Sequence, residues 1–311
     1  IIRPGHPLLR RSFDMGEVSL RTQSSFQSPF KTGTLFIVPT PIGNLEDITF
    51  RALHTLKEVD VIAAEDTRNT KKLLNHFEIN KSLISYHEHN KQQRESKLID
   101  ILKEGSDIAL VSDAGMPAIS DPGNDIVQAA IEAQVNVVVL PGANAALCAL
   151  VGSGLSTIEF YFYGFLPRKK KERDREMEYI KLVRSTILFY ESPHRLLETL
   201  TYLFNQLGNR KVALARELTK KFEEYISGTF EEVMDWATNS QVRGEFCIVV
   251  EGNSEQELES ESALWWSNLA MKEHVEHYIE TGLSSKDAIK KVAMERNLAK
   301  REVYQAYHIE E

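Results

Sequence analysis

The sequence predicts an α/β protein of two successive domains with a small C-terminal helical extension, and three observations predict it. Short β-branched and apolar runs alternate with helical patterns through most of the chain. Glycine- and proline-rich turns follow the strand-like runs of the first half. An acidic stretch poor in apolar residues, NSEQELESES, then separates a second set of strands from a purely helical end. At 311 residues the chain is long for one domain and suited to two with an appendage.

The first 32 residues hold four arginines among apolar pairs but no periodic pattern and no continuous signal-like apolar region, so they read as a leader outside the fold, disordered or extraneous to it. The first α/β domain is expected over 33–156. Its strand-like runs are Leu35–Val38, Val59–Ala64, Leu83–Tyr86, Ile108–Val111 and Val135–Leu140. After Asn44, apolar Leu45, Ile48, Ala52, Leu53 and Leu56 recur at helical spacing, with Asn44 and Asp47 resembling a cap. A helix follows Asp121-Pro122, and another, Asn144–Val151, follows the last strand.

The second domain is expected over 157–252, with FYFYG, TILFY, KVALA, EEYISGTF and EFCIVVEG as strands. Ser192-Pro193 reads as a helix start, Leu196 to Leu207 as its apolar stripe, and Gly208 as its stop. A linker is expected over 253–263. Over 264–311, Ser284 to Asp287 looks like a capping box, and a second helix near Ala299 makes the pair helix-turn-helix-like.

Charge and cysteine content narrow the function. Net charge is −8, which excludes a uniformly basic nucleic-acid coat but leaves room for local positive surface. Cys148 and Cys247 both lie in apolar runs, read as buried, and no disulfide framework arises; a reducing compartment, the cytoplasm, fits. No apolar run is long enough to span a membrane.

Chemistry is expected in three loops, Val38–Asn44, Ser112–Gly123 and Pro141–Ala145, each directly after a strand, where open α/β sheets form ligand crevices. None carries the dinucleotide G-x-G-x-x-G pattern or the Walker Lys-Ser/Thr pair. Metal binding has weak support: His87 and His89 lack partners at zinc spacing, and His274 and His277 read as surface residues.

The ordered series GTLFIVPTPIGNLEDIT, AAEDTR, SYHEHN, SDAGMPAISDPG, VVVLPGANAAL, FYFYGFLPRK, FYESPHR, ARELTKKFEE and RGEFCIVVEG resembles the ribosomal RNA small subunit methyltransferase I family. These are class III S-adenosylmethionine-dependent enzymes of the tetrapyrrole methylase superfamily. The likeness runs from about Gly33 to Gly252. It implies a tetrapyrrole-methylase-like fold with the cofactor in a cleft between two domains, and a homodimer. It also implies methyl transfer to the ribose 2′-oxygen of a decoding-region cytidine in 16S ribosomal RNA, with the assembled small subunit as substrate. By that pattern the S-adenosyl-L-methionine site uses Pro39, Pro41, Gly43, Asp113, Gly115, Met116, Ile119, Ser120, Pro141, Gly142, Ala143, Asn144 and Ala145.

A ribose hydroxyl is a poor nucleophile until its proton is shared, so a carboxylate or imidazole is sought as base. Glu65, Asp66, Glu191 and His194 are the candidates because each follows a strand; salt-bridge or solvated roles stand beside this reading. For RNA, Arg168–Arg175 holds six basic and two acidic residues and is read as a mobile basic loop. Arg168, Lys169, Lys170 and Lys171 are its contact candidates, with Arg68, Arg195 and Lys220 extending the track. Two other readings share the fold: carbon methylation of a tetrapyrrole, and a non-catalytic RNA-binding protein.

Overall fold

The computed structural model describes residues 22–23, 32–253, 266, 269–296 and 298–308. Most of the leader and nearly all of the acidic linker therefore lie outside the described residues.

The first half is a five-stranded parallel sheet in the order β3-β2-β4-β1-β5. Its elements are β1 (Thr34–Ile37), α1 (Phe50–Glu58), β2 (Val61–Ala64), α2 (Thr67–His76), β3 (Ser82–Ser85), α3 (Lys91–Lys103), β4 (Ile108–Val111), α4 (Asn124–Glu132), β5 (Asn136–Val139) and α5 (Ala145–Gly152). β4 is buried along its whole length, as a strand covered on both faces must be. One apolar cluster on each side of the sheet supplies the cover.

Strand order fixes where a ligand fits. The chain leaves β1 toward β2 on one side and leaves β4 toward β5 on the other, so connections from the adjacent strands β1 and β4 diverge. A crevice opens at the carboxyl ends of such a pair. The loops that emerge there are Val38–Asn44 and Ser112–Gly123.

The second half is a mixed sheet in the order β6-β7-β10-β8-β9. It contains β6 (Phe160–Phe165), α6 (Lys170–Ile180), β7 (Thr186–Glu191), α7 (Leu196–Leu207), β8 (Lys211–Arg216), β9 (Glu224–Thr229), α8 (Phe230–Asn239) and β10 (Phe246–Val250). β10 runs antiparallel to both β7 and β8, so its first residues share an edge with their last ones. α5 joins the halves. Its Ala146, Ala149 and Leu150, at i, i+3 and i+4, pack on Leu188, Ala213, Ala215 and Cys247 of the second sheet. The Tyr190 hydroxyl accepts from the Ala146 amide at 3.2 Å, and the Tyr225 hydroxyl donates to the Cys148 carbonyl at 3.2 Å.

Five local expectations are corrected. The helix expected after Asn44 is broken: Asn44 caps only a short 3-10 turn, Leu45–Asp47, and Thr49 caps α1 through the Ala52 amide. Ser192 does not cap α7, which starts at Leu196 after a turn, because Glu191 accepts from both the Ser192 amide and its hydroxyl. Arg168–Arg175 is not a loop, since Lys170 onward forms α6. Cys148 is exposed, because the packed stripe of α5 lies on its other side.

His274 is also not a surface residue. α9 (Met271–Glu280), α10 (Ser285–Glu295) and α11 (Lys300–His308) form a separate helical cluster around Val275, Ala288, Val292 and Val303. His274 is 0% exposed there, and its ring stacks on Trp266 at 5.1 Å. The Arg296 Nε donates to its Nδ1 at 3.1 Å and Glu295 lies 3.0 Å from its Nε2. Ser284 caps α10 by accepting from the Asp287 amide. No helix among the described residues is long and apolar enough to cross a membrane.

Candidate active site

A cleft of about 560 Å³ lies between the two sheets. The first half contributes Ile42, Glu65 and the loop Asp113–Asp121, with Asn144 and Ala145 at the start of α5. The facing wall is Tyr190 to Pro193, then Ala215, Glu217, Leu218 and Lys220, and Glu245 to Cys247, at the strand ends that the β10 reversal gathers on one edge. Phe165 borders it and packs edge-on to Tyr190 at 5.6 Å.

The loops are laced to one another by hydrogen bonds. Thr40 and Gly115 exchange backbone hydrogen bonds of 3.0 Å in both directions. The Thr40 hydroxyl donates to the Ser112 carbonyl, and the Ser112 hydroxyl donates to the Gly115 carbonyl, each at 3.1 Å. Gly115 sits at φ +82°, a region that costs glycine little. Ala118 and Ser120 in the same loop, and Glu217 and Thr219 across the cleft, also adopt positive φ. Non-glycine residues seldom do so, and such strain concentrates at ligand clamps.

At Gly43 the reason for glycine is room. A side chain there would overlap Thr219 Oγ1 and Lys220, the point where the Asn44 amide donates to Thr219 Oγ1 at 3.0 Å.

The cleft wall is acidic. Asp113 accepts from the Asp66 amide at 3.1 Å and from the Asn69 side chain at 3.2 Å. Burial, reinforced by the Asp113 charge, raises the Glu65 carboxyl above the usual range. Asp121 is affected more: burial first, then the charges of Glu65 and Asp113, push it up to about 7. Three carboxyls thus share one wall, and one of them holds a proton near neutrality. Lys220 is the cation of the opposite wall, 3.0 Å from Glu217 and 3.2 Å from Glu245. The Cys247 thiol and the Tyr190 phenol are raised by burial and stay neutral.

Of the residues expected to hold a cofactor, the structure brings Asp113, Gly115, Met116, Ile119, Ser120, Asn144 and Ala145 into the cleft. Pro41 and Gly43 line a neighbouring cavity, and Pro39 lies against Gly142 behind the loops. Pro141, Gly142 and Ala143 do not line the cleft.

Among the base candidates, Glu65 and Glu191 border the cleft. Glu191 is 2% exposed and accepts from the Thr199 hydroxyl at 2.7 Å, which makes it a structural hub. Asp66 caps α2 and is gripped by Arg68, whose hydrogen bonds hold it down to about 2. His194 is exposed and outside the cleft lining. Asp121, which lies within the expected Ser112–Gly123 loop but was not singled out as a site residue, is the one that was missed. Its only signal was position: the second acid of a non-periodic loop after a buried strand.

The basic candidates behave differently from their sequence. In α6, Lys169 pairs with Glu172, Lys170 with Asp174, Arg173 with Glu198 and Arg175 with Glu176. Arg173 also lies over the Tyr202 ring at 4.2 Å. Arg195 turns inward, donating to the Leu166 carbonyl at 3.3 Å and standing 3.6 Å from Glu191. Arg168 and Lys171 are in no ion pair among the described residues.

Residues 34–234 match the family model of tetrapyrrole (corrin/porphyrin) methylases. The chain is 58% identical over 292 residues to ribosomal RNA small subunit methyltransferase I of Bacillus subtilis strain 168, covering 94% of this chain and 100% of that protein. It is 56% identical over 291 residues to the protein of that name from Halalkalibacterium halodurans, with coverage of 94% and 100%. Solved structures of the same fold include diphthine synthase, at TM-score 0.58 and 14% identity, covering 73% of this chain and 94% of that one. Uroporphyrin-III C-methyl transferase from Thermus thermophilus, complexed with S-adenyl homocysteine, matches at TM-score 0.51 and 17% identity, covering 70% and 97%.

Proposed function

The chain belongs to the ribosomal RNA small subunit methyltransferase I family, and on that premise we propose that it methylates the ribose 2′-oxygen of a cytidine in the decoding region of 16S ribosomal RNA. Full-length identity with the Bacillus subtilis relative is the observation that carries this reading. The assembled small subunit is the substrate, the active form is a homodimer, and the enzyme works in the cytoplasm. A run of exposed apolar residues, Leu147, Val151, Ile158 and Phe160, supports self-association.

The cofactor is S-adenosyl-L-methionine, and the cleft suits its chemistry. A wall of Glu65, Asp113 and Asp121 complements a cation, and Ile42, Ala215, Leu218 and Cys247 offer apolar surface for a flat heterocycle. When bound, the group supplies a methyl already activated on a sulfonium.

The remaining work belongs to the chain. The loops after β1 and β4, laced through Thr40, Ser112 and Gly115, set the position of whatever binds between the sheets. Glu65 and the ionised form of Asp121 are the proton acceptors we assign for the ribose hydroxyl, because both border the cleft and both carboxyls are raised above the ordinary range. Phe165 and Tyr190, packed edge-on, add aromatic surface to the cleft lining.

A methyl-transfer assay on assembled subunits, free 16S RNA and a tetrapyrrole tests the reading, with mapping of the methylated atom. Label on a cytidine 2′-oxygen is expected. Label on a base atom, or only on the macrocycle, would overturn it.

A further inference from the structure

Among the described residues, the cations of α6 are largely neutralised by its own acids, whereas those of α2 are not. α2 reads TRNTKKLLNH and contains no acid. Arg68, Lys71, Lys72, Asn75 and His76 are all exposed, and their spacing places them on one face of the helix. Arg68 is engaged by its cap Asp66, while Lys71 and Lys72 are in no ion pair among the described residues. The buried stripe is Thr70 and Leu74.

The placement of this face matters as much as its charge. α2 leaves the carboxyl end of β2 directly after Glu65, at the wall of the cofactor cleft. Beside it opens a second cavity of about 370 Å³, lined by Thr40, Gly43, Asn69, Lys72, His76 and Asp113 among others. Asp113 borders both cavities, and both of its oxygens are engaged from the α2 side, by the Asp66 amide and the Asn69 amide group. The second cavity therefore has an internally satisfied carboxylate at the shared wall and, in its lining, the ammonium group of Lys72, which is in no ion pair among the described residues.

We infer that the exposed face of α2, with the cavity it borders, holds the sugar-phosphate backbone of the RNA next to the target nucleotide, so that the ribose is delivered over the shared Asp113 wall into the cofactor cleft. Lys71 and Lys72 meet phosphates, and Asn69 and Asn75 offer amide groups to sugar or phosphate oxygens. The inference rests on the methyltransferase reading and moves the main RNA contact from α6 to α2.

The test compares the full-length protein with K71A/K72A and, as a control on α6, K169A/K170A, whose two lysines are paired with Glu172 and Asp174. Binding to small subunits lacking the methyl group is followed across salt concentration, beside S-adenosylmethionine affinity and steady-state kinetics. Loss of two phosphate contacts should weaken binding about ten-fold and flatten the log–log salt slope by about 1.4 to 1.8. KM for the subunit should rise with kcat at saturation kept, cofactor affinity should be unchanged, and K71R/K72R should restore the slope. The α6 variant should stay within about two-fold of the parent. Unchanged binding and slope in K71A/K72A, or equal loss of cofactor affinity, would overturn the inference. An unmodified protein that methylates no ribosomal RNA would instead overturn the underlying reading.

Discussion

Replacing Asp121 by asparagine should make the protein more stable at alkaline pH. Asp121 shares its wall with Glu65 at the end of β2 and Asp113 after β4; Tyr190 and the paired Lys220 face the cleft from the second sheet. Burial and the two neighbouring carboxylates lift its carboxyl from 3.8 to about 7. Three units correspond to about 4 kcal/mol at most. Partial exposure of the group to solvent screens that to about 1–2 kcal/mol.

The sign follows from proton counts. Between pH 4 and 7 the folded protein keeps a proton that the unfolded chain has released, so stability falls as pH rises through this window and levels off above it. Asp121→Asn removes this slope. Urea unfolding between pH 5 and 8.5 should show the variant gaining on the parent by about 1–2 kcal/mol at the upper end. Parallel curves, or a variant less stable at pH 8.5, would refute the shared-charge account. Binding of the sulfonium cation favours the ionised form. The parent should therefore release a proton on binding S-adenosylmethionine near pH 7, seen as buffer-dependent heat, and Asp121→Asn should not.

Three further outcomes are expected. Glu191→Ala strands the Thr199 hydroxyl and the half-buried Arg195, so urea unfolding should report a loss of about 3–5 kcal/mol, with Glu191→Gln retaining part of it. Gly43→Ala should displace Thr219 and Lys220 and break the Asn44 contact, weakening cofactor affinity about two- to ten-fold by calorimetry. Ser284→Ala removes the cap of α10 and should cost about 1 kcal/mol in thermal unfolding, with cofactor affinity unaltered.

The strands of both sheets were legible because buried apolar runs stand out between breakers, and β4 and β10 are buried at every position. α2 and α3 were not picked out as helices. α3 has only a weak apolar stripe, and α2 has only Thr70 and Leu74 buried, so most of each helix reads as polar surface. The Asn44 and Ser192 caps were misjudged for a common reason: residue type at one position does not reveal which amide a side-chain oxygen will meet. The cleft loops were found because glycine, proline and acid residues collect after strands. Asp121 was passed over, since its altered acidity depends on Glu65 and Asp113 brought near from distant positions.

By itself, the sequence determined the α/β class, the two sets of strands, the helical end and, through its ordered motifs, the family and cofactor. Those properties reside in local periodicity and in residue order, which survive without coordinates. Only tertiary structure decided which charges are available. Arg168–Arg175 looked like a basic track, yet its cations are largely neutralised by acids one to four residues away and by Glu198 of α7. The less conspicuous Lys71 and Lys72 stand exposed on α2, with Lys72 lining the cavity next to the cleft. Composition counts charges, whereas Coulomb energy depends on distance and burial, and the fold alone sets both.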